Sequence, residues 1–314
     1  MAAFDEGDLA GIRRGLLGYC YQLLGSPFDA EDAAHDALER IWRSRDSFSP
    51  ERASFSTWCY RIAHNVCIDR LRAAPRRPLP RDLRDPGLEV GAPLVPALDV
   101  PWLMPAPAGW GIPSDVEDRV ERRSDVRLAV TAMLQTLSPL QRGAFVLRDV
   151  IGLAAAEAAV ALDTSVAAVN SALQRARAAV QEGTVRPHDL APSAVERYAQ
   201  AIERADVAAL AALVADDVVF EMPPVPQWSR GRAPFAAFMA HLFEWRGTSW
   251  STALTSANGQ PGFLLYRVTA EGREPHTLQL FDGDSAIDHV LVYQDPRLFG
   301  LFEAALPEET RDVR

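Results

Sequence analysis

Residue types that are able to hydrogen-bond nucleic acid are concentrated in one stretch of the sequence, TSVAAVNSALQRARAAV, which runs from Thr164 to Val180. The stretch has two arginines and no acidic residue, whereas the whole chain has a formal net charge of −10. Asn, Gln and Arg can hydrogen-bond base edges in the major groove of DNA, and Ser and Arg can reach phosphates. If the stretch is helical, the polar residues off its apolar stripe are Asn170, Ser171, Gln174, Arg175 and Arg177. A solvated surface helix explains the same residues, so the stretch alone leaves both interpretations open.

The surrounding sequence predicts that this stretch is the second helix of a helix-turn-helix. A shorter helix, AAAEAAVAL, precedes it across the turn LDT, and Thr164 or Ser165 is the expected N-cap. Further upstream, LSPLQRGAFVLRDV is predicted to be a helix that starts at the N-cap Ser138 and ends at Gly152. Apolar residues at spacings of three and four predict a buried stripe on the second helix, made of Val166, Val169, Leu173, Ala176 and Val180.

A second group of candidate residues interleaves aromatic and basic side chains in FSPERASFSTWCYRIAHNVCIDRLR. Aromatic rings can stack with unpaired bases while arginines contact phosphates, a combination that suits single-stranded DNA. The spacing of Phe55, Trp58 and Ile62 is equally expected of a hydrophobic core. We therefore expect Trp58 to be mostly buried, and the loop SPERAS, the arginines and Asn65 to form the functional face.

A row of acidic residues opens the predicted helix FDAEDAAHDALERIW. Asp29, Glu31 and Asp32 lie near its start, where the helix dipole favours negative charge. Asp36 lies four residues after Asp32, where two carboxylates repel each other, so the dipole does not explain it. An acidic ridge that also includes Glu39, exposed for a basic protein partner, explains the placement better.

The composition excludes several classes of protein. Of the 314 residues, 48% are hydrophobic and 24% charged, and no apolar run approaches the ~18 residues that span a bilayer. The N-terminus lacks an apolar signal core, so we expect a cytoplasmic protein. Cys20, Cys59 and Cys67 have no CxxC or metal-ligand spacing. Free thiols, with no metal and no cofactor, are the expectation.

Local charge differs sharply along the chain. Arg61–Arg84 contains 7 Arg and 2 Asp, a net charge of +5. From Leu190 to the end there are 10 Arg and 17 Asp or Glu, a net charge of −7. Because binding responds to local patches, an acidic total does not exclude a nucleic-acid partner.

Two breaks divide the chain into segments. Residues 1–74 and 114–186 are predicted to be helical throughout. Residues 75–113 are too rich in Pro and Gly for a long helix, but their Leu, Val, Met and Trp residues predict that they pack against something. Residues 190–314 begin with an amphipathic helix and continue in short strands, which predicts an α+β unit with a curved antiparallel sheet.

These segments, in this order, resemble a known family. DAEDAAHDALERIW and FSTWCYRIAHNVCIDRLR resemble region 2 of bacterial σ70-family factors of the extracytoplasmic-function (ECF) group, and the helix-turn-helix resembles region 4. PPVPQWSRGRAPFAAF and DPRLFGLF resemble the SnoaL-like, NTF2-type cone domain that one ECF subgroup carries at its C-terminus. The resemblance covers nearly the whole chain. It implies a multidomain protein with two all-α σ domains, a region 2 bundle and a region 4 helix-turn-helix, followed by an α+β cone.

The resemblance also implies roles for individual residues. The acidic ridge would dock on the β′ clamp helices of core RNA polymerase, and region 4 would dock on the β flap. No membrane partner is implied. The ridge comprises Asp29, Glu31, Asp32, Asp36 and Glu39. Recognition and melting of the −10 element would fall to Phe48, Arg52, Phe55, Arg61, Asn65, Arg70 and Arg72. Recognition of the −35 element would fall to Ser165, Asn170, Ser171, Gln174, Arg175 and Arg177.

Cone domains of the NTF2 type enclose an apolar pocket, and some relatives are isomerases or cyclases. The candidate lining residues in this chain are Phe220, Trp228, His241, Phe263 and Tyr266. No titratable pair stands out by spacing, so we expect no catalytic residue and no enzyme activity. The acidic charge of this domain predicts instead that it contacts the σ core and restrains or tunes it.

The sequence therefore favours a sigma factor that directs core RNA polymerase to promoter DNA and helps to open it. One alternative is a helix-turn-helix regulator with a ligand-sensing tail, which would not bind polymerase. Another is a cone-fold enzyme fused to a DNA-binding module. Promoter sequence, inducing signal and ligand do not follow from the residues.

Overall fold

The computed structural model describes residues 4–73, 76–108, 110, 128–183 and 190–306. The chain forms two compact units. One combines Met1–Arg77 with Leu103–Val185, and the other combines Pro78–Trp102 with Arg186–Arg314. The expected beginning of the second helical segment, 114–127, lies outside the described residues. Within the described part of the chain, no helix is both long and apolar enough to span a bilayer.

The N-terminal part of the first unit consists of α1 (Glu6–Leu24), α2 (Pro27–Arg43) and α3 (Phe55–Ala73). Each helix start has a local cause. Asp5 and Asp8 form a capping box at α1, and the Ser26 hydroxyl accepts a hydrogen bond from the Asp29 amide at α2. Gly25 adopts a left-handed conformation that ends α1, so α2 can turn back against it. The small residues of α2, among them Ala30, Ala33 and Ala37, are fully buried.

The second helical segment contains α4 (Leu128–Leu134), α5 (Pro139–Phe145), α6 (Ala155–Ala161) and α7 (Val166–Gly183). Ser138 caps α5 with Pro139 in its first turn, as the sequence predicts. A π-helical turn, Val146–Val150, follows α5, and Gly152 has a positive φ of 85° where the helix ends. Ser165 is the N-cap of α7, since its hydroxyl accepts a hydrogen bond from the Ala168 amide at 3.2 Å.

The buried stripe of α7 differs from the predicted one at both ends, and Val180 near the C-terminal end is only half-buried. Val169, Leu173 and Ala176 are buried as expected, and Ala172 is buried with them. Val166 is 42% exposed, so its predicted place in the core is wrong. It belongs to the first turn of the helix, and the buried positions begin one turn later.

The two helical segments share one hydrophobic core. The buried Arg142 on α5 donates to the Leu23 carbonyl at the end of α1, and also to the Gln135 side chain at 3.0 Å. Tyr19 and His64 form a buried hydrogen bond of 2.8 Å. A Cβ added to Gly143 would lie 3.2 Å from the His64 ring, which shows how closely α5 approaches the N-terminal helices.

The second unit is an α+β domain, and the expected fold class is confirmed. Its helices are α8 (Pro192–Glu203), α9 (Val207–Leu213), α10 (Arg232–Arg246) and α11 (Pro296–Ala305). Its strands are β1 (Val214–Met222), β2 (Val225–Arg230), β3 (Trp250–Ala257), β4 (Gln260–Thr269), β5 (Gly272–Gly283) and β6 (Ile287–Tyr293).

The strands form one sheet in the order β2-β1-β6-β5-β4-β3. The pairs are antiparallel except for β1 and β6, which are parallel, so the expectation of a wholly antiparallel sheet is wrong at that pair. Strand β6 lies between β5 and β1. Its direction follows from its antiparallel pairing with β5, and that direction is the same as the direction of β1. One face of the sheet packs on α8 and α10, where Tyr198, Phe235 and Phe281 are fully buried.

The Pro-rich segment 78–102 is held by the second unit, as its apolar residues predict. The Glu221 carboxylate accepts the Arg81 amide at 2.7 Å, and the Trp228 indole donates to the Arg84 carbonyl at 2.8 Å. Further along, the Gly87 and Leu88 amides both donate to the Trp228 carbonyl. Backbone hydrogen bonds of this kind give a segment without regular structure a defined path.

Candidate nucleic-acid interface

The polar face of α7 is free of the core. Every residue assigned to −35 recognition is exposed, while the neighbouring Val169, Ala172, Leu173 and Ala176 are buried. The set comprises Ser165, Asn170, Ser171, Gln174, Arg175 and Arg177. The helix can therefore bury one face in its own domain and present an acid-free face to a groove.

The two arginines of this face have different partners. Arg177 makes a two-pronged ion pair with Asp149, with distances of 2.7 and 2.6 Å. Arg175 donates to the Ser171 hydroxyl at 2.7 Å on the preceding turn. A hydroxyl is easily exchanged for a phosphate, whereas the carboxylate of Asp149 competes with one.

The face assigned to −10 recognition lies on the loop before α3 and along that helix. Arg52, Arg61, Asn65 and Arg72 are exposed. Arg70 is half-buried and pairs with Asp36 on α2 at 2.6 Å. This arrangement leaves most of the polar and basic set open to solvent.

The aromatic residues of this face form a cluster. Phe48, Phe55 and Trp58 are half-buried, and the rings of Phe48 and Trp58 lie 5.2 Å apart. Phe4, which the sequence did not single out, is buried and lies 4.6 Å from the Phe55 ring. Trp58 is only partly exposed, in keeping with the expectation that it is mostly buried, and its ring packs with this cluster against the helical core.

The acidic ridge of α2 is divided by its own ion pairs. Glu31, Asp32 and Glu39 are exposed, whereas Asp29 and Asp36 are half-buried. Asp29 pairs with Arg77, Asp36 with Arg70 and Glu39 with Arg43, the last on the same helix at 2.6 Å. Glu31 and Asp32 therefore form the most open part of the ridge.

Direct contacts join the −10 face to the helix-turn-helix. Arg61 on α3 pairs with Asp163 in the turn between α6 and α7 at 3.2 Å. The Thr57 hydroxyl donates to Glu157 on α6 at 3.4 Å. Sequence spacing gives no signal for these long-range pairs, although the turn LDT marks Asp163, whose φ of 50° is the left-handed conformation that Asp tolerates.

The buried His64 and Cys59 side chains of the helical unit are in their uncharged forms and are part of its core. Burial lowers the pKa of His64 to about 4, so the ring is neutral near pH 7. Burial also raises the pKa of the Cys59 thiol to about 12, which removes its nucleophilic character. All three cysteines are free and buried. Among the described residues, no cluster of three or more His, Cys, Asp or Glu side chains is placed to hold a metal ion.

The C-terminal unit contains two neighbouring cavities, of about 290 and 110 Å³, between the sheet, α10 and the segment 89–94. Of the expected lining residues, His241 lies at the larger cavity and Phe220 at the smaller. The other three have different surroundings. Trp228 binds the Arg84 carbonyl, Phe263 stacks in the core, and Tyr266 donates to Glu303 at 2.9 Å.

A buried acid–histidine pair lies elsewhere in this unit. Glu221 is fully buried and bonds to His289 at 2.7 Å. Burial raises the pKa of Glu221, but the hydrogen bond from His289 and the charge of Arg81 outweigh it, so the pKa lies below its usual value. The pair therefore anchors the segment that carries Arg81.

Comparison with known proteins agrees with this architecture. Family models described as Sigma-70 region 2, Sigma-70 region 4 and SnoaL-like domain match residues 11–77, 127–180 and 195–295. The ECF RNA polymerase sigma factor SigG of Mycobacterium tuberculosis is 38% identical over 306 residues, which cover 92% of this chain and 81% of SigG.

A second sigma factor of the same organism, SigJ, is 30% identical over 236 residues, covering 74% of this chain and 67% of SigJ. The crystal structure of M. tuberculosis SigJ superimposes with a TM-score of 0.61 at 23% identity, over 95% of this chain and 99% of that one, so the two share a fold. The exposed basic and polar faces thus belong to regions 2 and 4. The chain is a member of the ECF family of RNA polymerase sigma factors, which direct transcription initiation at promoters, and it carries a C-terminal SnoaL-like domain.

Proposed function

We propose that the exposed faces divide the promoter between them. The acid-free face of α7 binds the −35 element, and the loop from Phe48 to Phe55 with the exposed side of α3 binds and opens the −10 element. The observation that carries this assignment is the exposure of all six polar residues of α7 and its N-cap, opposite the buried Val169, Ala172, Leu173 and Ala176. Extruding a base costs a few kcal/mol, and the cluster of Phe48, Phe55 and Trp58 supplies rings for stacking.

The exposed acidic residues of α2 are the proposed contact with polymerase. Glu31, Asp32 and Glu39 face solvent on one side of the helix, as docking on the β′ clamp helices requires. The second helical segment is the proposed partner of the β flap. Charge complementarity of this kind raises the rate of association and fixes its register.

The described arrangement of the helical unit represents, in this proposal, the form that is not bound to DNA. The −10 and −35 elements are about 25 base pairs apart, or about 85 Å along B-form DNA. Arg61 and Asp163, which belong to the two regions that bind these elements, are 3.2 Å apart. Regions 2 and 4 must therefore separate before both can occupy one promoter.

The C-terminal domain is proposed to restrain that separation. It holds Pro78–Trp102, which is about half of the segment that connects region 2 with region 4. Anchors include the hydrogen bonds of Glu221 and Trp228 to this segment. A domain that holds the connection limits how far the two regions move apart. This role requires no catalysis, in keeping with the anchoring position of the Glu221–His289 pair.

Run-off transcription with core RNA polymerase tests the proposal. We expect the full chain to initiate at its promoter, and a truncation before Leu190 to initiate more strongly because the connecting segment is released. Trp228→Phe, which keeps an aromatic ring but removes the hydrogen bond to the Arg84 carbonyl, is expected to shift activity in the same direction by a smaller amount. Equal activity of all three proteins would refute the restraint, and absence of polymerase-dependent initiation would refute the promoter assignment.

A further inference from the structure

The two cavities of the C-terminal unit have largely apolar walls and differ in their polar residues: the larger one has Glu89 and His241, and the smaller one has Arg246, His276 and Gln279. The smaller is lined by Phe220, Phe238, Met239 and Val292, and the larger shares Phe238 with it. The cavities adjoin, because Leu94, Phe238, Leu242 and Trp245 line both of them. With volumes of about 290 and 110 Å³, the two together reach the size of the smaller small-molecule sites, roughly 300 Å³ and above. A space of this shape suits a compact apolar body with one polar head.

Strand β5 turns an additional polar side chain towards this space. Leu265 pairs with Thr277 and Tyr266 pairs with Pro275, so His276 is the extra residue of a β-bulge. Bulges re-aim side chains, and His276 lines the smaller cavity together with its neighbour Thr277. The alternation of strand residues alone would have placed only one of the two on that face.

Two buried polar atoms at the smaller cavity have no partner within the described chain. They are Nδ1 of His276 and Oε1 of Gln279, a residue that is only 4% exposed. The Gln279 amide nitrogen donates to Thr277 at 3.3 Å, which fixes its oxygen on the other side. Buried polar atoms are normally satisfied, so such atoms at a cavity mark the place of a polar group from outside the chain.

A positive charge lies beside these atoms. The Arg246 guanidinium stacks on Trp245 at 3.8 Å and lines the smaller cavity, and no carboxylate among the described residues pairs with it. Burial, together with the charges of Arg246 and Arg267, lowers the pKa of His276 to about 4. The neutral ring can therefore donate one hydrogen bond to an anion while Arg246 supplies the charge.

The connecting segment forms part of the cavity wall. Leu94 lines both cavities, and Glu89, Gly91 and Pro93 line the larger one. Leu94 is half-buried against the core of the domain, whereas Leu98, four residues later, is 83% exposed. A molecule that fills both cavities thus contacts the segment that joins regions 2 and 4.

We propose that the two adjoining cavities bind a small apolar carboxylic acid, whose carboxylate accepts hydrogen bonds from Arg246 and His276 and whose body lies against the aromatic wall and Leu94. The Gln279 oxygen is itself an acceptor and takes no part in holding the carboxylate. Occupancy would change how the connecting segment is held. The inference goes beyond promoter recognition and is tested on the protein alone, so its failure would leave the transcription proposal untouched.

Isothermal titration calorimetry of the full chain with decanoate, 1-decanol and decylamine tests the proposal. We expect one saturable site for decanoate, and at least about tenfold weaker binding of the alcohol and the amine, because only the carboxylate gains charge-assisted hydrogen bonds. Arg246→Gln should weaken decanoate binding about tenfold. Arg230→Gln is the matched control, since Arg230 also lies over a tryptophan, Trp228, but outside the cavity.

The wall contact is tested in the same way. Leu94→Ala should weaken decanoate binding about threefold to tenfold through lost apolar contact, and Leu98→Ala should leave it unchanged. The proposal would be overturned by absence of saturable binding, by equal binding of decanoate and decanol, or by equal effects of the two arginine substitutions. Because Arg246 and Arg230 are exposed, neither substitution is expected to unfold the domain.

Discussion

Arg175 and Arg177 lie two residues apart on α7, yet their surroundings give them different roles. Arg175 is exposed and bonds only to the Ser171 hydroxyl among the described residues, while Arg177 is held by both oxygens of Asp149. The pairing raises the pKa of Arg177, through its hydrogen bond to Asp149 and despite partial desolvation. At the residue scale, exposure and free hydrogen-bonding capacity decide which side chain is available to DNA.

We expect Arg175→Gln to weaken binding to all −35 sequences alike, because a phosphate contact carries little sequence information. Its slope of log affinity against log salt should fall by about one. Asn170→Ala should instead relax discrimination at one base pair, by about 1–3 kcal/mol. Salt-dependent fluorescence anisotropy of holoenzyme on matched and mismatched promoters measures both effects. Identical salt and sequence dependence of the two variants would contradict the assignment.

His64 predicts a pH dependence of stability. Its folded-state pKa of about 4 lies below the usual value of 6.5, because burial disfavours the charged ring. The unfolded chain therefore takes up the proton first as pH falls, and the stabilising contribution of a neutral His64, present above about pH 6.5, is lost towards pH 4. Between about pH 7.5 and about pH 5.5 the loss is about 1 kcal/mol.

Urea unfolding of the wild-type chain and of His64→Gln at both pH values checks this prediction. The variant should lose about 1 kcal/mol less on acidification than the wild type does. His35→Gln provides the control, because His35 is exposed on α2. An unchanged pH dependence in His64→Gln would show that other groups dominate.

At the scale of elements, regions 2 and 4 meet where α3 contacts α6. Arg61–Asp163 and Thr57–Glu157 cross this contact at its rim, and Arg142 crosses from α5 to α1 in the core. Burial lowers the pKa of Arg142 to about 10, helped by the charge of Arg76. Arg142 therefore remains charged at pH 7 and relies on carbonyl and amide oxygens for compensation.

Asp163→Asn should loosen this contact. Asn tolerates the left-handed conformation at this position, so the substitution removes charge without straining the turn. Because both side chains are largely exposed, the pair is worth at most about 1 kcal/mol, and separation should rise by up to about fivefold. Energy transfer between one dye in each region measures the effect. Asp284→Asn, in an exposed turn of the other unit, should give the wild-type value.

Gly143→Ala tests the buried part of the same contact. The added Cβ would lie 2.8 Å from the Leu162 side chain and 3.2 Å from the His64 ring, so we expect a loss of about 1–3 kcal/mol. Gly11→Ala, where nothing lies within 4 Å, should stabilise α1 by about 0.5–1 kcal/mol. Thermal unfolding distinguishes the two, and equal shifts would contradict close packing at Gly143.

At the scale of the molecule, the course of Pro78–Trp102 connects promoter recognition with the C-terminal domain. This segment joins two regions of one compact unit, yet it belongs to the other unit. Leu88 and Leu94, which pack on the core of that unit, and the backbone bonds to Trp228 hold it there. A C-terminal domain linked only through the end of region 4 would make no contact with this connecting segment.

Removing the charge of Glu221 should release the beginning of this segment. Glu221→Gln leaves a buried amide opposite His289 and Arg81, at a cost of about 2 kcal/mol to the domain. Amide hydrogen exchange of residues 79–88 should accelerate, while that of α7 stays unchanged. Glu274→Gln, which breaks an exposed pair with Arg267, is the control. Unchanged exchange in Glu221→Gln would exclude this anchor.

Much of the helical fold follows from local signals. Ser138 and Ser165 cap the predicted helices, Gly152 ends one of them, and the polar face of α7 is exposed as its spacing predicts. These features depend on neighbours within one or two turns, so the sequence contains their causes. Strand β2 and the parallel pairing of β6 with β1 carry no comparable local signal, because they depend on hairpins formed elsewhere.

The amino-acid sequence by itself determined the family, the order of the domains and the chemistry of each surface, because motif residues and periodicity are local properties. Tertiary structure decided which of these charged residues form ion pairs within the chain and which remain exposed to solvent. It paired Arg61 with Asp163, Asp29 with Arg77 and Arg177 with Asp149. It also placed His276 on a bulge beside Arg246. These contacts join residues far apart in the chain, and only folding of the whole unit sets their distances.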